Sequence, residues 1–428
     1  MDSERLRRVR KTTRQHLSME AEETLQQLEG FPDKPAAMQY FYSLFRDIYN
    51  GNGTPALPGA KKIIASMCMQ VPQELILAAD AVPLRLCNGA NAYAQIGAEF
   101  MPSKSCPVVK ATIGMLHVNQ TLWGSSLSSI VIPTTCDQKK KAGELLDDMG
   151  YPVYNLEMPS SKDSYLSRFY WQESVKQLTV DLQKITGNKI TGKKVQDAIA
   201  KIINSGKIFR KLYELRRNIP PLIFGTDLFL VINAYFFDDI DRWSASVTAL
   251  ITELEERKVQ KIHVTNRQAP RLLFTGSPPI FPNFKIPILV EQSGGIIVAD
   301  ETCSSSRLLS DSVAYDEAVL NDMLPAIADR YLKPSTCPCL TPNNDRLRKL
   351  VAIAREAATD GVIYQAFSGC LPYEMEQKLV SQTLANQGIP MLYFETDYSP
   401  EDVGQLSTRV EAFIESIKAR NKKKAMND

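Results

Sequence analysis

The chain has 428 residues, enough for two or three cores at the ~150 residues typical of a domain, which excludes a small stapled scaffold. A hydrophobic share of 44% and a charged share of 23% belong to a folded globular protein rather than a disordered or fibrous one. Fifty Lys and Arg against forty-eight Asp and Glu leave a net charge of +2, too balanced for a general nucleic-acid or anionic-membrane binder.

Residues 1–60 read as an N-terminal helical arm. MDSERLRRVRKTTRQHL is too charged for a secretory leader, SMEAEETLQQLEG ends on a glycine cap, and PAAMQYFYSLFRDIYNGNG closes on Gly-Asn-Gly. From 61 to 161 short apolar runs alternate with amphipathic segments, the pattern of βαβ units, and KKIIASM, PLRLC, SSIVIPTT and YPVYNLEM are the expected strands. Residues 162–260 read as consecutive helices that bridge two α/β units, with a break at Asn218-Ile-Pro-Pro221. Inside the bridge, PLIFGTDLFLVINAYFF from Pro221 to Phe237 carries Asp227 and Asn233. It is therefore expected as a buried or pocket-lining helix rather than a membrane span. A second alternation fills 261–428, with RLLFTG, GGIIVAD, DGVIYQAFSG and IPMLYFETD as strands and NKKKAMND as a solvated end. The expected class is α/β: two similar parallel-sheet domains, a helical arm and a helical bridge.

Only three histidines, His16, His117 and His263, stand against eight cysteines. Histidine-rich zinc or di-iron chemistry has little to work with, so sulfur must dominate any metal site. The absence of an export signal points to a reducing cytoplasm, where thiolates are free to ligate metal.

The cysteines suggest an internal repeat. Cys68, Cys106 and Cys136 are separated by 38 and 30 residues; Cys303, Cys337 and Cys370 by 34 and 33. Local contexts match: KKIIASMC with GGIIVADETC, a Pro directly after Cys106 and after Cys337, and SSIVIPTTC with GVIYQAFSGC. GYPVYNLE from Gly150 echoes GIPMLYFE from Gly388. Ends of parallel strands are where open sheets place ligands, and Pro after Cys suits the first turn of a helix, whose dipole favours a thiolate. The six thiols are therefore expected to converge on one cleft. Cys87 and Cys339 fall outside the pattern as core or bystander residues, Cys339 being a possible substitute ligand. Structural zinc favours CxxC pairs, and Cys337-Pro-Cys339 is one residue short of one. Thiols spread over separate strands suit an iron–sulfur cluster assembled between domains.

Several other features weigh little. GNKITGKK, from Gly187 to Lys194, mimics a phosphate loop but follows a helix and carries Lys194 where Ser or Thr should stand, so Thr191 is expected as a helix N-cap. Gly294-Gly295 lacks a dinucleotide frame. Glu74, His117 and Glu291 are weak candidates for a catalytic or proton-donating group, and Arg85, Lys104, Lys110 and Arg307 are candidates to offset thiolate charge.

The segments MCMQVPQELILAADAVPLRL, SCPVVK, PTTCDQKKK, DETCSSSR, RYLKPSTCPCLTPNNDR, DGVIYQAFSGCLPYEMEQ and GIPMLYFETDYSPEDVGQLSTRVEAFIE, in that order, resemble the 2-hydroxyacyl-CoA dehydratase and benzoyl-CoA reductase superfamily. Cysteines in both halves look most like its double-cubane cluster proteins. The resemblance implies two Rossmann-like domains, an 8Fe-9S or 4Fe-4S cluster and a homodimer. It also implies a separate ATP-hydrolysing iron–sulfur activator as electron donor; from the balanced charge, no nucleic acid and no membrane are expected as partners. It implies ligands at Cys68, Cys106 and Cys136 for one cubane and Cys303, Cys337 and Cys370 for the other, with Cys339 able to replace Cys337. The expected activity is low-potential anaerobic reduction of a small substrate, with a 2-hydroxyacyl-CoA dehydratase component or a non-catalytic cluster carrier as alternatives.

Overall fold

The computed structural model describes residues 3–50, 61–118, 127–309 and 311–427; the Gly-Asn-Gly closure of the arm lies outside them. All eight expected strands form. The first sheet has the order β2-β1-β3-β4, with β1 (Ile63–Ser66), β2 (Val82–Arg85), β3 (Ser129–Pro133) and β4 (Val153–Leu156). The second has the order β6-β5-β7-β8, with β5 (Arg271–Gly276), β6 (Ile296–Glu301), β7 (Gly361–Phe367) and β8 (Met391–Thr396). Every pairing within these two sheets is parallel. Strands β3, β5, β6 and β7 are buried along their whole length, as a parallel sheet covered on both faces requires.

The arm consists of α1 (Ser3–Glu29) and α2 (Met38–Asn50). The first unit carries α3 (Gln73–Ala78), α4 (Asn91–Gly97), α5 (Pro107–His117) and α6 (Asp137–Asp148). Between the sheets run α7 (Tyr165–Thr186), α8 (Gly192–Arg216), α9 (Gly225–Ala234) and α10 (Ile240–Gln260). The second unit adds α11 (Lys285–Gln292), α12 (Ser306–Leu309), α13 (Leu320–Leu332), α14 (Asn344–Glu356), α15 (Leu371–Ala385) and α16 (Val403–Asn427). The final segment is thus helical to Asn427, although Lys422 and Lys423 are exposed.

Helix α9 is buried at every position, because it packs between α2 of the arm and α11 and β6 of the second unit. Its Asp227 accepts hydrogen bonds from Lys34 Nζ at 2.6 and 2.7 Å and from Tyr42 Oη at 2.7 Å, which fastens the arm to the helix. An acidic group in a first helical turn also complements the helix dipole. Helix α8 is tied to the second sheet by Arg216 and Asp300, 2.7 Å apart with both side chains fully buried. Trp171 on α7 donates its indole N–H to Ala328 O on α13 at 2.8 Å, so the bridge also packs on the second unit. Thr191 caps α8 by accepting from Lys194 N at 3.3 Å, and α7 with a left-handed Gly187 precedes it, so the phosphate-loop mimic is a helix cap.

Candidate functional site

In each sheet the chain leaves the middle in opposite directions from β1 and β3, or from β5 and β7. Carboxyl ends at such a switch point are the natural ligand crevice of an open parallel sheet. Loops at these ends bring all eight cysteines onto one cavity of about 740 Å³, and all eight are free thiols. Cys106, Cys136 and Cys370 are the N-cap residues of α5, α6 and α15, with Pro at the start of α5 and α15. The positive end of a helix dipole at these three sulfurs favours the thiolate. Cys337 differs: its Pro338 opens a turn, and α14 starts only at Asn344.

The topology corrects the expected repeat. Strand order equates β1 with β5 and β2 with β6, so the match of Cys68 to Cys303 joins strands that are not equivalent. Cys303 stands two residues beyond β6, and the residue two beyond β2 is Cys87. Cys68, two beyond β1, corresponds to Pro278, two beyond β5. Cys136 and Cys370, each three beyond the equivalent strands β3 and β7, keep their match. Cys87 therefore lines the cavity in the register of Cys303 instead of lying in the core, and Cys339 lines it as well.

Two thiol pairs organise the electrostatics. Cys339 Sγ donates to Cys337 Sγ at 3.1 Å, which draws the Cys337 thiol down to about 6 against the opposing effect of burial. A hydrogen bond from Cys370 draws Cys106 down to about 7, and this pair crosses from the second unit to the first. The donors Cys339 and Cys370 are raised correspondingly. Cys303, without such a partner, is pushed up to about 11 by burial.

Positive charge comes from fewer of the expected residues than the sequence suggests. Arg85 lines the cavity at 7% exposure, stacked 4.4 Å from the Phe236 ring, with its Nε and Nη1 lacking hydrogen-bond partners. Arg307 lies beneath the wall, bound with Arg346 to Glu301; burial would raise that carboxyl, yet the two guanidiniums hold it at about 2. Lys104 is exposed and Lys110 turns to Ser103 O at 3.2 Å; neither lines the cavity. Lys139 does, and although burial opposes its charge, the sulfurs of Cys68 and Cys136 raise its pKa. Lys139 lies within PTTCDQKKK, where only its place in the first turn of α6 could have signalled this role.

Glu74, His117 and Glu291 are not on the cavity. Glu74 is buried against Tyr331, whose hydroxyl donates to it at 2.8 Å. His117 packs at the end of α5 with its ring 4.4 Å from that of Phe100. Glu291 caps α9, accepting from Gly225 N at 2.7 Å and from Thr226 N and Oγ1 at 3.0 and 2.7 Å.

Thiols dominate the donor set: the cavity holds eight of them and no histidine, and its carboxylates are those of Asp137 and Glu376. Among the described residues no three His, Cys, Asp or Glu side chains converge closely enough to hold a single ion. Eight thiols around so large a volume, beside a buried guanidinium with two unpartnered nitrogens, fit an anionic polynuclear cluster that reaches between them.

Comparison with known proteins gives a consistent family. The chain is 30% identical over 357 residues to a protein of Escherichia coli (strain K12) provisionally named dehydratase subunit YjiM, covering 83% of this chain and 91% of that one. It is 24% identical to the (R)-phenyllactyl-CoA dehydratase beta subunit of Clostridium sporogenes, over 83% and 92% of the two chains. It is 22% identical to one of the benzoyl-CoA reductase subunits of Thauera aromatica, over 84% and 92%. The profile described as 2-hydroxyglutaryl-CoA dehydratase, D-component, matches residues 68–417, from the first cavity cysteine into the last helix, and the chain belongs to that family.

Proposed function

We propose that this chain is the cluster-bearing component of a low-potential reductase, in which a separate ATP-hydrolysing iron–sulfur activator supplies electrons and a small substrate is reduced in the cavity. The observation that carries this reading is the convergence of eight free thiols from both units on one cavity. Cys68, Cys106 and Cys136 on one side, and Cys303, Cys337 and Cys370 on the other, would hold the cluster. Cys339 is a substitute for Cys337, and Cys87 joins the candidates by register. An iron–sulfur cluster supplies one-electron chemistry at low potential. Arg85 and Lys139 offset the negative charge of the thiolates. The hydrogen bond from Cys370 and the helix dipole favour the ionised form of Cys106, whereas burial raises Cys136 and donation to Cys106 raises Cys370, so these two would ionise on binding the cluster.

Sulfur ligands from both units favour the double-cubane 8Fe-9S form. The proposal includes a homodimer working without oxygen in the cytoplasm. No helix among the described residues is long and apolar enough to cross a membrane. A second reading, a 2-hydroxyacyl-CoA dehydratase component with a 4Fe-4S cluster, is favoured by the names of the relatives. Iron and sulfide analysis of anaerobically purified protein, with its absorption spectrum, separates the two. About eight irons per chain support the first reading and about four the second, whereas iron-free, zinc-loaded protein overturns both.

A further inference from the structure

Gln138 joins three of the thiol-bearing turns. It lies two residues after Cys136, in the first turn of α6, and lines the cavity. Its Oε1 accepts from Cys106 N at 2.7 Å, and its Nε2 donates to Gly369 O, directly before Cys370, at 2.6 Å. One amide therefore holds a turn of its own unit with its acceptor and a turn of the other unit with its donor.

The surroundings show that this junction is built closely. Gly369 has φ +81°, and a Cβ placed there would lie 1.8 Å from Lys104 O, so the backbones of the two units abut. Gly369 N is in turn bonded to Glu374 Oε1 at 2.6 Å, which fixes the turn from the α15 side. The backbone groups that present Cys106 and Cys370 thus face each other with Gln138 between them. A side chain one methylene shorter would not reach both, and an acid would place an acceptor against the Gly369 carbonyl.

We propose that Gln138 is a positioning residue that locks Cys106 and Cys370, one from each unit, in the register at which both face the same cofactor. Its relation to the cofactor rests on the cavity being the cluster site, but the register is a property of the chain itself. Both hydrogen bonds act directly on the backbone of the thiol-bearing turns. Their loss lets the two turns move apart while the sheets behind them stay in place.

The test uses the full chain in its folded, cluster-free state, treated anaerobically with dibromobimane, which bridges neighbouring thiols, and read by peptide mass spectrometry. In the unsubstituted protein, Cys106 is bridged to Cys370 and Cys337 to Cys339. Gln138→Ala is expected to lower the first bridge about fivefold or more, leave the second unchanged and keep the thermal midpoint. Gln138→Glu retains the acceptor for Cys106 N and is expected to fall between the two. Equal Cys106–Cys370 bridging in Gln138→Ala and the unsubstituted chain overturns the proposal. A parallel fall of both bridges also overturns it, because that reports general loosening. If the unsubstituted protein takes up no iron on reconstitution, the functional reading fails, and the bridging ratio still decides the role of Gln138.

Discussion

Cys339 Sγ lies 3.1 Å from Cys337 Sγ across a single proline, and the direction of that hydrogen bond makes Cys337 the thiolate of the pair. The sulfur already ionised is the better metal ligand. Cys337→Ala should therefore remove about half of the bound iron, while Cys339→Ala should leave it nearly unchanged. Iron per chain after anaerobic reconstitution measures both, and the opposite order would make Cys339 the ligand.

Arg85 should show opposite effects with and without the cofactor. Its guanidinium is buried with two nitrogens unpartnered, so in cluster-free protein Arg85→Met should raise stability by about 1–3 kcal/mol in a urea titration. In loaded protein the same change removes positive charge that favours the reduced, more negative cofactor. The midpoint potential should fall by tens of millivolts, measured by a spectroscopic redox titration.

Gly369→Ala tests the closeness of the two units. The positive φ and the 1.8 Å approach to Lys104 O leave no room for a methyl group, and the atom it meets is backbone. The substitution should cost at least about 3 kcal/mol in chemical unfolding. Gly388→Ala, also at positive φ but with open space around its Cβ, should cost only about 1 kcal/mol.

The arm should carry a pH dependence of its own. Glu20 accepts from Asn91 N at 2.8 Å and Ala92 N at 2.9 Å, yet burial outweighs these bonds and raises its carboxyl from 4.5 to about 7. A carboxyl raised by folding contributes stability that is complete below about 4.5 and is lost as the pH climbs through about 7. Thermal midpoints should therefore fall across that window, and Glu20→Gln should flatten the slope by an amount on the order of 2 kcal/mol. Differential scanning calorimetry between those pH values checks it.

Much of this molecule is legible in one dimension. Strand and helix periodicities are local, so RLLFTG could be placed at Arg271–Gly276 and Thr191 at the head of α8 before any contact was known. Cysteines at the ends of apolar runs likewise marked the crevice, because a parallel strand ends where its loop begins. What spacing could not supply was equivalence between strands, which depends on sheet order. Cys68 and Cys303 share a sequence context but follow different strands, while Cys87, without a contextual signal, occupies the register of Cys303.

Glu291 shows the same limit from the other side. A carboxylate beside GGIIVAD resembles a site residue until tertiary packing delivers the N-terminus of α9 to it, 66 residues away in sequence from Gly225. Sequence by itself determined the elements, the doubled architecture and the dominance of sulfur, since each follows from local periodicity or residue count. Only the tertiary structure decided which thiols pair, which cations face them, and that Gln138 spans the two units. Those are distances between atoms far apart along the chain, set by how two sheets meet across a shared helical core.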